Sequence, residues 1–293
     1  FISDAYDADD LTAFADHLTW TYTLTDGAYA KSPDSLVCFL RSDGTLVVLT
    51  LARKEKVVGW SRHSTATGVG VSTINSLCVV PNPVLKRDEV WITVTRTING
   101  AAVRYVEVWD RDRFLDCSIK GSGGATATIT GLSHLAAESV MIRATGNDGI
   151  VRIYPAQTVT GDQVTGLSPT VTAWEVGIAF TATGVTRRVE VPGQTTLQGK
   201  IKGFGELVLR CLDMPVLNVG GIRYKAKGVV SGYTVGSVFV IPTGMAAIST
   251  ATADGDLVVP KTGYDRDGRV TFTQDLPLGG TVTMLEAEVL VGE

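Results

Sequence analysis

Apolar and polar residues alternate along most of the chain, which is typical of β-strands. The alternation is clearest where Val90, Ile92 and Val94 face one way and the residues between them face the other. One face of this strand is expected to pack on a core, and the other to meet solvent or a neighbouring chain. Extended runs are predicted at residues 36–40, 45–51, 57–62, 76–81, 90–95, 103–109, 125–130, 139–144, 150–154, 171–180, 195–201, 206–212, 221–226, 235–241, 257–259, 269–274 and 281–291.

Turn residues separate these runs at short intervals. Asp43-Gly44 and Asn99-Gly100 are strong hairpin signals, because both residues of such a turn must tolerate a positive φ. The fold class predicted is all-β, with an antiparallel meander that is propeller-like or forms barrel or sandwich modules. No repeat of fixed period supports a regular propeller. Further turns are predicted at Asp26-Gly27, Asn147-Asp148-Gly149, Asp254-Gly255 and Asp267-Gly268.

The best helix candidate lies at the beginning of the sequence. Residues 7–20 carry four apolar residues at helical spacing, and aspartates precede them where acidic groups favour the positive end of a helix. One short N-terminal helix is therefore predicted, and a cation site at the aspartates is the less favoured alternative. The residues concerned are Leu11, Phe14, Ala15 and Leu18, with Asp7, Asp9 and Asp10.

Length and composition suggest a chain of several modules. A chain of 293 residues can hold one to three domains. Gly121-Ser122-Gly123-Gly124 is flexible and polar and is interpreted as a boundary. We predict a helix plus an antiparallel, propeller-like β meander in residues 1–120, a small β unit in 121–181 and a C-terminal β domain in 182–293. Because the first residue is Phe rather than Met, we expect a longer natural chain.

The balance of charges argues against a protein that grips nucleic acid. There are 26 Lys and Arg against 30 Asp and Glu, for a net charge of -4, whereas proteins that hold phosphates are normally basic. Apolar residues make up 44% and charged residues 19%, which excludes a disordered chain. No apolar run approaches the roughly 18 residues that a membrane-spanning helix needs.

The four cysteines are Cys38, Cys78, Cys117 and Cys211, and they show no C-x-x-C spacing. We interpret them as buried free thiols of a protein made in a reducing cytoplasm, in preference to a disulfide set.

Residues that could carry chemistry are sparse. His17, His63 and His134 are far apart and form no metal-binding pair, so we interpret them as a surface or capping residue, a hydrogen-bonded residue ending a strand, and a turn residue. Serine-hydrolase elbows and ATP-binding loops are not found. Gly203-Phe204-Gly205 lacks the third glycine of a dinucleotide fingerprint and is interpreted as a bulge or tight bend.

Acidic and aromatic groups also favour structural roles. Asp110-Arg111-Asp112-Arg113 is interpreted as a solvated, self-paired loop. Asp265-Arg266-Asp267-Gly268 holds a fragment of a calcium loop but lacks its closing glutamate, and a hairpin explains it. No carboxylate pair of glycoside-hydrolase type stands out. We predict no catalytic, cofactor-binding or metal site and no cofactor. Aromatic packing is favoured over a stacking platform for Trp60, Trp91, Tyr105, Trp109 and Trp174.

Eight segments taken together, in their order and spacing, resemble a known family. They are the apolar helix of residues 11–18, the hairpin 41–46, the strand 56–63 with its Trp-x-Arg-His ending, and the segments 76–81, 88–92, 104–107, 131–140 and 174–180. The family is the tail-nozzle proteins of short-tailed bacteriophages (podoviruses), called tubular tail protein B. Ala137 stands where that family usually has glycine, and Ala179 and Phe180 replace its proline and tyrosine. The part from Thr181 to Glu293 matches only loosely.

The resemblance implies a structural virion protein and no enzyme. Family members are similar in forming a homohexameric tube below the portal and adaptor rings, through which double-stranded DNA is ejected and to which fibres or spikes attach. The resemblance thus implies a sixfold homo-oligomer, an adaptor partner, fibre or spike partners, DNA passage without specific binding, no membrane insertion, and a place in the virion tail after assembly in the host cytoplasm. We expect Asp and Glu to line the channel, because phosphate contacts would slow ejection. A receptor-binding or glycan-degrading tail spike is the alternative, and a β-propeller enzyme is a weaker one.

Overall fold

The described part of the protein consists mostly of antiparallel strands, as predicted. The computed structural model describes residues 10–12, 15–52, 54, 57–66, 72–188, 200–225, 248–249, 255–260 and 267–291. Strands account for 62% and helix for 3% of the residues that the structure describes, where the sheets form no closed barrel, so the all-β prediction is confirmed. The strands are β1 (Leu24–Ala30), β2 (Leu36–Arg41), β3 (Leu46–Ala52), β4 (Val57–His63), β5 (Ser72–Asn82), β6 (Arg87–Ile98), β7 (Ala101–Trp109), β8 (Asp116–Thr126), β9 (Ile129–Thr130), β10 (Ser139–Gly146), β11 (Val151–Thr158), β12 (Gln163–Val164), β13 (Val171–Ile178), β14 (Ala182–Val185), β15 (Lys202–Leu212), β16 (Val216–Val219), β17 (Ile222–Lys225), β18 (Ile248–Ser249), β19 (Gly255–Val259), β20 (Thr271–Gln274) and β21 (Thr281–Val291).

Two compact units divide the chain, Phe1–Arg113 and Phe114–Glu293, which are called unit 1 and unit 2 below. The glycine-rich segment 121–124 is not the linker that its composition predicts, because it lies inside β8 and pairs with β13. Gly121 is needed there, since a Cβ on it would meet the Trp174 indole at 2.7 Å. The absence of a side chain at Gly121 therefore leaves space for the Trp174 indole and does not make the segment a flexible linker.

Unit 1 is a sandwich of two antiparallel sheets. The first sheet has the order β1-β2-β3-β4, and the second has the order β5-β6-β7. Buried side chains from both sheets form one core between them, because alternate residues of each strand face inward. The core consists of Ala30, Cys38, Leu40, Leu46, Val48, Ile74, Leu77, Val90, Ile92 and Val94.

Both hairpins predicted in unit 1 are confirmed, but only at Asn99-Gly100 do both turn residues have a positive φ, because Asp43 does not. Asn99 and Gly100 have φ of 49° and 75° and connect β6 to β7 with Ile98 opposite Ala101. Gly44 has φ of 77° in the turn between β2 and β3, and a Cβ on it would meet Thr73 at 2.9 Å. The alternation predicted for 90–95 is also confirmed, since Val90, Ile92 and Val94 are buried whereas Trp91, Thr93 and Thr95 are half-buried.

The N-terminal segment contains less helix than its pattern predicts. Within the described residues it has one 3-10 turn, Asp16–Leu18, and Asp7, Asp9 and Phe14 lie outside the described part. Asp10 accepts hydrogen bonds from the backbone N–H and hydroxyl of Thr12, a local turn that competes with helix. The segment instead packs on the first sheet through backbone oxygens: Trp60 Nε1 donates to the oxygen of Leu11 at 2.7 Å, and Arg41 Nη1 donates to that of Leu18 at 2.9 Å.

Unit 2 contains a five-stranded sheet of order β18-β11-β10-β13-β8, the short pair β12-β9, and two smaller sheets. The smaller sheets have the orders β14-β20-β16-β17 and β19-β15-β21. They share a second core that includes Leu207, Leu209, Leu217, Tyr224 and Leu257. Unit 2 therefore repeats the principle of unit 1, in which two sheets bury one face each.

Several local predictions need correction. Asp26-Gly27 is not the turn before the first strand, because both residues lie within β1 beside a register shift between Leu24 and Asp26. The short strands β14 and β16 are not predicted from the sequence. The neighbouring strand β17 falls within the predicted run 221–226. Gly203-Phe204-Gly205 does contain a bulge, as predicted, since the register of β15 against β21 shifts between Phe204 and Leu207. The runs predicted at 195–201 and 235–241 fall largely or wholly outside the described residues.

Candidate interaction surface

One side of the unit 1 sandwich, formed by β1 and β5, is closed by hydrogen bonds between the two sheets. The Ile74 N–H in β5 donates to the Gly44 oxygen at 3.0 Å, and the Leu77 N–H donates to Asp26 Oδ2 at 3.4 Å. Both edge strands are bulged, β1 between Leu24 and Asp26 and β5 between Ile74 and Ser76. Bulges and occupied N–H groups are the usual means of stopping a sheet edge from pairing further.

The opposite side of the sandwich, formed by β4 and β7, has neither of these features. β4 pairs with β3 over seven residues and β7 pairs with β6 over nine, and neither register shifts. Each strand is the last in its sheet, so within the described residues its other edge has no partner strand. Val57 and Val58 in β4 are 48% and 46% exposed, and Val106 in β7 is 68% exposed. We call this pair of strands the open side.

A small polar cluster lies at the open side. The rings of His63, at the end of β4, and Trp109, at the end of β7, have centroids 4.6 Å apart. His63 Nε2 lies 2.9 Å from the Ser61 hydroxyl, and burial lowers the pKa of the imidazole, so it is neutral at pH 7. A serine beside a neutral histidine can be a nucleophile and its base. Among the described residues, however, no carboxylate bonds to His63 to orient it, and the pair fits a structural hydrogen bond.

An ion pair is buried within the second sheet. Arg96 falls on the inward-facing set of β6 and is 2% exposed. Its Nε and Nη2 donate to the two oxygens of Glu107 at 2.7 Å and 2.8 Å, and its Nη1 donates to the Ala66 oxygen at 3.0 Å. The guanidinium also reaches the Ser72 hydroxyl at 3.5 Å. A bidentate carboxylate and a backbone carbonyl compensate the loss of hydration.

The charged loop after β7 is paired, although not only with itself as predicted. Asp110 accepts from Arg87 at 3.0 Å and lies 3.7 Å from Arg113. Arg111 reaches Asp34 at 2.5 Å. Burial alone would raise the pKa of Asp110, but a backbone N–H and the neighbouring arginines outweigh it and lower the pKa. The loop therefore ties the end of β7 to the turn before β2 and to the first residue of β6.

In unit 2 the notable charged group is Glu175, which is 2% exposed in β13. Its Oε1 accepts the N–H groups of Phe114 and Leu115 at 2.8 Å and 3.0 Å and the Ser118 hydroxyl at 3.1 Å. Its Oε2 has no hydrogen-bond partner among the described residues, and neither has Nε of Arg143, the residue opposite it in β10. Burial lowers the pKa of Arg143 and the Glu175 charge partly offsets this. Glu175 fixes the first residues of unit 2.

The predicted site candidates remain separate. His17 is exposed and 3.9 Å from Asp16, and His134 lies 3.2 Å from the Cys117 oxygen. Asp267 pairs with Arg188 at 2.9 Å, while Asp265 and Arg266 lie outside the described residues. The four cysteines are free, as predicted, but Cys78 is exposed and Cys117 is half-buried. Cys78 lies on β5 and Cys117 on β8, each the last strand of its sheet, and neither side chain is buried in a core.

The aromatic residues contact neighbouring groups, as the packing interpretation predicts. Trp60 stacks on Phe39 with centroids 6.1 Å apart, Trp109 contacts His63, and Trp174 lies on Gly121. Trp91 Nε1 is buried without a hydrogen-bond partner among the described residues.

The chain matches no family model and no curated protein. In the ranges that the structure describes, no three His, Cys, Asp or Glu side chains are grouped to hold a metal ion. Within the same ranges, no helix has the length and apolar character needed to span a bilayer. The open side of unit 1 is therefore the feature that best fits an interaction.

Proposed function

We propose that this chain is a structural subunit of the tail nozzle of a short-tailed bacteriophage. In this role the subunit contributes strands to a sixfold tube below the portal and adaptor, and double-stranded DNA passes through the tube without being held. The subunit performs no catalysis, and its partners are further copies of itself, the adaptor protein and fibre or spike proteins. It resides in the virion tail after assembly in the host cytoplasm.

The observation that carries this proposal is the backbone conformation at Ala137. Its φ is 61°, a region that glycine adopts freely and alanine adopts at a cost. The resemblance to the nozzle family expects glycine at this position, and that expectation came from residue order alone. The family pattern expects glycine at position 137, and the backbone there has an angle that favours glycine, although the residue is alanine. The segment also contains Gly131 with φ of 84° and the 3-10 turn Ser133–Leu135 that leads into β10.

Charge and surface are compatible with the proposal. A net charge of -4 suits a conduit, because each phosphate contact adds salt-dependent affinity that would retard DNA. Exposed apolar residues on the regular edges of unit 1 suit a protein that is buried against copies of itself.

The symmetry of the assembled protein tests the proposal. Full-length protein, alone and mixed with the adaptor ring of the same virion, is imaged by electron microscopy, and its mass is followed by light scattering. The expected result is a sixfold ring with a central channel that forms with or on the adaptor. Threefold particles with a solid axis would favour the tail spike instead, and protein that stays monomeric with the adaptor present would rule the nozzle out.

A further inference from the structure

On the open side of unit 1, each sheet ends in a regular strand whose outer edge has no partner strand among the described residues. In the hairpin that closes at Asn99-Gly100, Ile98 and Ala101 form the first hydrogen-bonded pair, so β7 residues alternate between bonding β6 and pointing away from it. The N–H groups of Ala102, Arg104, Val106 and Val108 are the ones that point away. They form a regular row along a nine-residue edge that carries no bulge and no proline.

We propose that β7 of one copy pairs with β4 of the next copy, so that the first sheet of one subunit continues into the second sheet of its neighbour. This inference rests on the proposed function, since it names the surface through which the subunits of the ring meet. A β7–β7 contact between two copies would leave β4 free and would end at a dimer. A β4–β7 contact uses both edges, is heterologous, and can be repeated around a closed ring.

The two edges fit each other in face and chemistry. Val58 lies opposite Leu51 and Val106 lies opposite Thr93, and both valines are on the outer face of their own sheet. When β4 and β7 are set antiparallel with Val58 beside Val106, the most exposed apolar residue of β7 covers an exposed apolar residue of β4. Arg62 then stands beside Ala102, so the like charges of Arg62 and Arg104 are not directly opposed.

The contrast with the other side of the sandwich supports the choice of edge. There β1 and β5 are bulged, and two N–H groups of β5 bond across to the first sheet, one to the turn between β2 and β3 and one to Asp26 in β1. A fold that blocked every edge would carry such features on both sides. Their restriction to one side leaves β4 and β7 as the pair that can accept further strands.

Cysteine cross-linking tests the pairing and its register. In a Cys78→Ser background, which removes the exposed native thiol, full-length Val58→Cys/Val106→Cys protein is assembled and oxidised. Strand neighbours bring cysteines within disulfide reach. The expected product on a denaturing gel is a series of bands larger than dimer, whereas each single variant stays monomeric. Dimers from Val106→Cys alone would show β7–β7 pairing and overturn the proposal.

A proline variant provides an independent readout. Val106→Pro removes an N–H that points away from β6, so each subunit is expected to keep its fold while sedimentation shows at least a tenfold weaker association. Val106→Thr, which keeps the N–H, is the matched control and is expected to assemble. If the parent protein assembles but neither the cross-link nor the proline effect is seen, the edge assignment is wrong while the nozzle stands. A parent protein that does not assemble would overturn both.

Discussion

Both units bury charged side chains almost completely, and the surroundings of Arg96 in unit 1 and Glu175 in unit 2 differ. Arg96 in unit 1 has a bidentate carboxylate and a backbone oxygen. Glu175 in unit 2 concentrates three donors on Oε1, while Oε2 has no hydrogen-bond partner among the described residues. The comparison shows that a buried charge can either join neighbouring strands or hold a chain segment in place. Arg96 joins two strands of one sheet, whereas Glu175 captures a chain segment as it enters its sheet.

Glu107→Ala is expected to have the largest effect on stability. It leaves the Arg96 guanidinium buried without its carboxylate, which should lower the free energy of unfolding by about 3–5 kcal/mol. Denaturant unfolding of the full chain measures this. The double variant Arg96→Met/Glu107→Ala is the control and should recover much of the loss, because the uncompensated charge is gone. A double variant as unstable as the single one would mean that packing, rather than charge, sets the cost.

Glu175→Gln sharpens the comparison from the side of unit 2. The amide keeps one oxygen for the N–H groups of Phe114 and Leu115 but loses the charge that strengthens those bonds. We expect the unfolding free energy to fall by about 1–3 kcal/mol. Hydrogen exchange should quicken first at Phe114 and Leu115. Glu286→Gln, an exposed change in β21, is the matched control and should have almost no effect.

Ala137→Gly measures a strain in unit 2 that involves no charge. Glycine removes the Cβ clash at φ of 61°, so unfolding free energy should rise by about 0.5–1 kcal/mol. Ala136→Gly is the control, because φ of Ala136 is -52° and glycine there adds only chain entropy to the unfolded state. Equal effects of the two changes in thermal melts would contradict the assignment of strain to residue 137.

Sequence patterns predicted much of the fold because strand alternation and turn chemistry are local. Asn99-Gly100 and the Val90–Val94 alternation needed no information from distant residues. Arg96 shows where such reasoning stops. It stands on the same inward parity as Val94, which is a usable signal, but its partner Glu107 is identified only once β7 is placed beside β6. The open side likewise requires knowing which strands end each sheet, and strand order depends on contacts between residues far apart in sequence.

The bulge in β8 limits how the five-stranded sheet can grow. Two steps along β13, from Val171 to Ala173, correspond to four along β8, from Thr126 to Ser122, so residues 123–125 protrude at the sheet margin. A protruding loop of backbone prevents another strand from lying flush against that margin. At the β8 margin, therefore, a strand of another molecule cannot extend the five-stranded sheet, which hinders growth of the sheet into a fibre from that side.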